Sequence, residues 1–180
     1  MTVSEGFRGN DVLGTDDPRI IDVVTRFLAH EARLLDEGQD EDWYNLLDED
    51  LLYTIPIRLA TDPRSMEIDR SAFRIHDTKA HIRTRIDRLA TGHAWAEMPA
   101  SRTLRLVGSV EITGTPASDI VEASSALLVY RQRGIDPYHD FIPCRRNDRL
   151  RLTIDGVRLL SREVILTETI LSTANLGVFL

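Results

Sequence analysis

Cysteine is almost absent from this chain: among 180 residues there is one, Cys144. No internal disulfide can form. Aromatic residues reach only 6%, and no apolar run approaches the roughly 20 residues that a membrane-spanning helix needs. Basic residues are also in short supply, 22 against 29 acidic ones, for a net charge of −7. A protein that tracks a nucleic-acid backbone needs the opposite balance, because Lys and Arg must neutralise phosphates, so nucleic acid is not an expected partner. The local groups Arg83, Arg85 and Arg88, and Arg145, Arg146, Arg149 and Arg151, are read as solvated or subunit-facing surface. Residues 1–17 do not show the charged-then-apolar order of a signal peptide. The expectation is a cytoplasmic protein without membrane contact.

What is present is a folded balance, 42% hydrophobic and 28% charged. A chain this long buries roughly 70% of its unfolded surface and needs no staple. The polar stretch 1–17, with Gly6, Gly9 and Gly14, reads as a flexible N-terminal arm lying along a neighbouring subunit. Residues 18–180 read as one domain. Asp17–Pro18 starts a helix, with an acidic cap followed by proline in the first turn. Ile20, Val24, Phe27, Leu28, Leu34 and Leu35 then recur at helical spacing, and Gly38 closes the helix. A short helix over Glu41–Leu47 turns Trp43, Leu46 and Leu47 inward. Leu51–Leu59 alternates as a strand, and Pro56 places it at an edge or marks a bulge. Residues 60–76 show no clean period and read as a loop. Asp77 caps a third helix carrying Ile82, Ile86, Leu89 and Ala90, which Gly92 ends. Strands follow: Thr103–Thr113 with Leu104, Leu106, Val110 and Ile112 on one side, Ile120–Arg133, Phe141–Ile154 and Val157–Ile170. Asp155–Gly156 is a hairpin turn signal. Helices first and long antiparallel strands after define an α+β chain with helices on one face of a curved sheet.

The chemistry this chain can carry is narrow. A Rieske cluster requires two Cys and two His ligands, and multi-cysteine zinc sites fail on the same count. No glycine-rich phosphate loop joins a strand to a helix. Cys144 stands between Pro143 and Arg145; the nearby arginines favour a lowered pKa, but no base accompanies it, so it reads as a packed thiol. His76, Asp77 and His81 come nearest to a two-His, one-carboxylate set, yet Asp77 is claimed as a helix cap. His30, His93 and His139 read as boundary or surface groups. An apolar pocket using Tyr53, His30, Asp50 and His81 for proton transfer would make the chain a stand-alone isomerase or dehydratase. Glu31 lies on the apolar side of the first helix, where a lone carboxylate is costly. A structural ion pair with Arg58 or Arg162 is expected.

Several segments, in order, resemble the β subunits of bacterial Rieske-type aromatic ring-hydroxylating dioxygenases. They are Phe27-Leu-Ala-His-Glu-Ala-Arg-Leu-Leu-Asp-Glu-Gly38, then Trp43, then Asp50-Leu-Leu-Tyr-Thr-Ile-Pro-Ile-Arg58 with its Tyr-x-x-Pro-x-Arg pattern. Pro99-Ala-Ser-Arg-Thr103 and Ser125-Ala-Leu-Leu-Val-Tyr-Arg-Gln-Arg133 follow, then Arg145-Arg-Asn-Asp-Arg-Leu-Arg151, Ser161-Arg-Glu-Val-Ile-Leu166 and Asn175-Leu-Gly-Val-Phe179. Cys144, where the family often has glycine, and Val157, where an aromatic is common, depart from the pattern. The resemblance implies a cystatin-like cone, similar in fold to ketosteroid isomerase and nuclear transport factor proteins. It implies no cofactor and no catalytic or metal-binding residue in this chain. The Rieske 2Fe-2S cluster and mononuclear non-heme iron would sit on an α subunit, with NADH serving through separate electron-transfer components. Three α and three β chains would assemble, this one giving structural support for aromatic-compound catabolism. Arg58, Arg131, Arg133, Arg145, Arg146 and Asp148 are the candidate subunit contacts.

Overall fold

Helix α1 runs over Pro18–Asp36, and its stripe Ile20, Val24, Phe27, Leu28, Leu34 and Leu35 is buried together with Glu31. It stops where the chain enters a left-handed turn at Gly38 (φ 69°), with Gln39 N donating to Leu34 O at 2.8 Å. The computed structural model describes residues 18–90, 100–117, 119–134, 137–173 and 175–180. The expected arm over 1–17, the Asp17 cap, Gly92, His93 and part of the motif at Pro99 lie outside the described residues.

The second helix, α2, covers only Asp40–Tyr44; Leu47 already begins strand β1, Leu47–Arg58. The expected helix over Glu41–Leu47 is therefore two structures, because Trp43 fills the core while Leu47 pairs with Leu159 of the sheet. The expected loop over 60–76 is corrected more substantially. After a 3-10 turn at Arg64–Met66, strand β2 spans Ile68–Thr78 and pairs antiparallel with β1. Pro56 sits at the register shift between them, so it marks a bulge in an internal strand. Asp77 lies inside β2, and helix α3 begins two residues later, spanning Lys79–Ala90. At its start Thr78 N donates to His81 Nδ1 at 3.3 Å, and Ile82 and Ile86 enter the core.

Four long strands complete the sheet: β3 Ser101–Ala117, β4 Ile120–Arg133, β5 His139–Thr153 and β6 Gly156–Leu166. The six strands lie in the order β2-β1-β6-β5-β4-β3, with only β1 and β6 parallel. Helix α1 packs across β3, and α3 against β1 and β2, so one sheet face and the helices enclose the core. The single apolar side expected for β3 is corrected. One extra residue enters between Gly108 and Glu111, with Ser109 at φ 48°, and this bulge reverses which residues face inward. Leu104 and Leu106 are consequently 56% and 60% exposed, while Arg105 is buried.

The β5–β6 hairpin turns through Ile154 and Asp155, one residue earlier than the Asp155–Gly156 signal suggests, since Thr153 pairs with Gly156. Gly156 adopts φ 130°, which L side chains rarely reach, although nothing lies within 4 Å of an added Cβ. No helix among the described residues is long and apolar enough to cross a membrane. Replacing Gly156 by valine adds backbone strain without a clash. Urea unfolding should show a loss of about 1–3 kcal/mol; an unchanged midpoint would contradict this account of the turn.

Candidate functional site

The floor of the cone is a cluster of buried charge. Counting by twos along β5 from Ile142 places Cys144, Arg146, Asp148 and Leu150 inward, and β6 turns in Arg162 and Val164. Above them Glu31 descends from α1. Arg162 Nη1 and Nη2 donate to the two Glu31 carboxylate oxygens at 2.7 and 2.9 Å. The same guanidinium reaches both Asp148 oxygens, at 2.8 and 2.9 Å. Arg146 donates to Glu31 Oε2 and Ser125 Oγ, each at 3.2 Å, and Trp43 Nε1 to Glu31 Oε1 at 3.1 Å. Glu31, Arg146 and Arg162 are each 1% exposed. Of the two partners expected for Glu31, the structure brings in Arg162. Arg58 instead donates to Leu166 O at 2.7 Å and pairs with Glu67.

Two carboxylates face two guanidiniums, so the cluster has no net charge. Burial by itself would raise the Glu31 pKa, but Arg162, then Arg146, with bonds from Arg162 and Trp43, hold it below the usual carboxylate value. Burial lowers the Arg146 pKa and the positive Arg162 lowers it further; Arg146 Nη2 has no hydrogen-bond partner. The Arg162 guanidinium is held charged: Asp148 and Glu31 outweigh its burial. Cys144 is also buried, and burial pushes its thiol up to about 11. The expected lowering by arginines is corrected here: desolvation exceeds the attraction of Arg146 and Arg162.

The remaining interior is filled by the chain's own last residues. Phe179 stacks on Trp43 with ring centroids 4.3 Å apart, and Leu180 is fully buried. Tyr53 OH donates to Leu180 O at 3.2 Å and accepts from Leu180 N at 3.0 Å. Four arginines hold this tail by its backbone: Arg162 at Leu180 O, Arg105 at Phe179 O, Arg85 at Leu176 O and Arg131 at Asn175 O. Arg105 also pairs with Asp36 of α1, and Arg85 lies over the Phe179 ring at 4.5 Å. The tail therefore occupies the space where a pocket would need to be.

The proton-transfer set is not assembled. Tyr53 is sealed against Leu180, and burial pushes its hydroxyl pKa up. His30, Asp50 and His81 are exposed, on α1, β1 and α3. Asp77 pairs with Arg85 at 3.0 Å, while His81 remains 4.0 Å from Asp77 and 63% exposed. His76 packs edge-on against Phe73. Among the described residues no group of three or more His, Cys, Asp or Glu could hold a metal. The candidate contact residues are also divided by burial. Arg131, Arg146 and Asp148 face inward at 1%, 1% and 3% exposure and engage partners inside the chain, which removes them as surface contacts. Arg58 and Arg133 are half-buried, and Arg145 is exposed. The roles of Arg105 and Arg85 in holding the tail escaped the sequence reading. For Arg105 the signal was hidden by the β3 bulge.

A curved mixed sheet with helices on one face is the cone architecture. The structure of naphthalene 1,2-dioxygenase with indole in its active site superposes with a TM-score of 0.82 over 94% of this chain and 90% of that one, at 20% identity. That likeness establishes the fold. The β subunit of a putative aromatic-ring-hydroxylating dioxygenase from Novosphingobium aromaticivorans matches with a TM-score of 0.68 and 25% identity, covering 88% and 95%. In sequence, the N,N-dimethyl phenylurea N-demethylase subunit beta of Sphingobium sp. is 39% identical over 158 residues, 88% of this chain and 90% of that one. The family described as ring hydroxylating beta subunit matches residues 30–173. The chain belongs to that family. It is a β subunit of a ring-hydroxylating dioxygenase complex, an oxidoreductase with an α subunit as partner. In these enzymes the Rieske and iron sites sit on α.

Glu31→Gln removes one charge, which takes the ion partner from Arg146 and leaves Arg162 with Asp148 alone. Breaking such a buried pair should cost about 3–5 kcal/mol in urea unfolding. The Glu31 pKa is lowered on folding from the usual 4.5. Its stabilisation is thus complete above that value and is lost as pH falls through the folded-state value. Wild type should lose stability below pH 4.5 more steeply than Glu31→Gln; parallel acid profiles would refute the assignment.

Proposed function

We propose that this chain is the structural subunit of a cytoplasmic hexamer of three α and three β chains, holding the α subunits in register and contributing no catalytic residue. The observation that carries this reading is the filled cone: Trp43, Phe179, Leu180 and the Glu31–Arg162–Asp148 cluster occupy the interior. A cone-fold isomerase or dehydratase needs that volume open, with titratable groups converging on it. Residues 18–180 act as one domain in this reading. Arg58, Arg133 and Arg145 remain as subunit-contact groups.

The α subunit would oxidise an aromatic compound with oxygen and NADH-derived electrons. The 39% identical N-demethylase subunit favours a specific extension, in which an aryl substrate loses an N-methyl group instead of gaining ring hydroxyls. Both reactions place the oxidising centre on α and leave the role of this chain unchanged.

Co-expression with its α subunit should yield one species with equal amounts of the two chains and the light-scattering mass of a hexamer. The purified chain alone should contain no iron and turn over neither a simple arene nor an N-methyl phenylurea. Turnover by the isolated chain, or failure to associate with α, would overturn the proposal.

A further inference from the structure

The outer face of the sheet is apolar where water would ordinarily demand polar residues. Three successive rows cross β3, β4 and β5: Leu104–Tyr130–Phe141, Leu106–Leu128–Pro143 and Gly108–Ala126–Arg145. Leu104, Leu106 and Phe141 are 56%, 60% and 48% exposed. The third row is short of side chain at Gly108 and Ala126, and this leaves an open notch of about 440 Å³. An added Cβ at Gly108 would meet nothing within 4 Å. Arg145 stands at its rim, exposed, with a single 3.3 Å contact to Ser124 Oγ. Contiguous apolar surface of this kind marks an interaction site.

The shape and charge of the notch call for an apolar knob beside a carboxylate. This chain carries one. Ile154, at the tip of the β5–β6 hairpin, is 95% exposed and is followed by the exposed Asp155. Three other residues protrude, Ile170, Tyr138 and Met66, but their neighbouring acids are engaged: Glu168 with Ser172, Asp140 with Thr173 and Glu67 with Arg58. Pro143 and Ile154 lie at opposite ends of β5, roughly 35 Å apart for eleven extended residues, so one chain cannot fill its own notch. Pairing the notch with itself about a two-fold axis would oppose two hollows and two arginines. A head-to-tail contact avoids both problems, and such contacts form a ring when the rotation between copies closes.

We propose that the notch between β3 and β5 seats the Ile154–Asp155 hairpin tip of a second copy of this chain, with Asp155 paired to Arg145, and that this contact builds the ring of β subunits. The inference rests on the subunit reading above and assigns one of its interfaces.

The test uses the full chain, alone and co-expressed with its α subunit. With Arg145→Cys and Asp155→Cys combined, a short bismaleimide should join β to β, and each single variant should give no such product. Adding Leu106→Asp should lower the yield at least tenfold. In parallel, Arg145→Glu or Asp155→Arg should each weaken β self-association at least tenfold, and the two together should restore it to within threefold. A cross-link to α, no β–β cross-link, or failure of the double reversal to rescue overturns the inference. Co-purification with α is scored separately. A chain that cross-links to itself but never binds α would sink the subunit reading and leave this contact standing.

Discussion

A carboxylate on the apolar side of a helix is the constraint around which this molecule is arranged. Glu31 cannot be buried alone, so α1 must lie where Arg162 and Arg146 reach it from the sheet, and Arg162 in turn requires Asp148. Those four side chains come from three elements, and their bonds leave little freedom in how the helix crosses the strands. A uniformly apolar packing of similar volume would be as stable or more so. The ionic version ties helix position, strand register and tail placement to one another, because Arg162 also holds Leu180.

The same cluster supports the proposed structural role of a fold that elsewhere suits small-molecule catalysis. Proton-transfer sites in cones need a carboxylate or histidine whose pKa lies near neutrality and a cavity that admits substrate. Glu31 is pulled the other way, toward permanent ionisation, and the tail fills the cavity. The charged interior is spent on architecture. That leaves the outer surface, with its apolar rows on β3 to β5, as the part of the molecule that addresses other chains.

Much of this was legible in the sequence. The stripe from Ile20 to Leu35 defines α1 and places Glu31 on its buried side, the alternation from Tyr53 to Leu59 marks β1, the Val- and Leu-rich run marks β4, and the Asp155–Gly156 signal marks the β5–β6 hairpin. Strand β2 was not legible, because it is an edge strand with mostly exposed side chains; it is ordered by pairing with β1 and by Arg70–Glu163. The bulge at Ser109 defeated the reading of β3, since one inserted residue exchanges the two faces. The misassigned contact residues have a different cause. Charge suggests exposure, but the phase of Val121, Ala123, Leu127 and Val129 places Arg131 inside. The tail contacts join residues far apart in sequence, such as Tyr53 and Leu180, and no local pattern records them.

Cys144 bears on durability. Oxygen-activating complexes expose their components to reactive oxygen species, and thiolates are the first protein groups to be oxidised. A thiol pushed up to about 11 is ionised in only about one molecule in ten thousand at neutral pH. Buried between strands, it offers almost no nucleophile to peroxide. The lone sulfhydryl of this subunit is thereby a poor target for such oxidants.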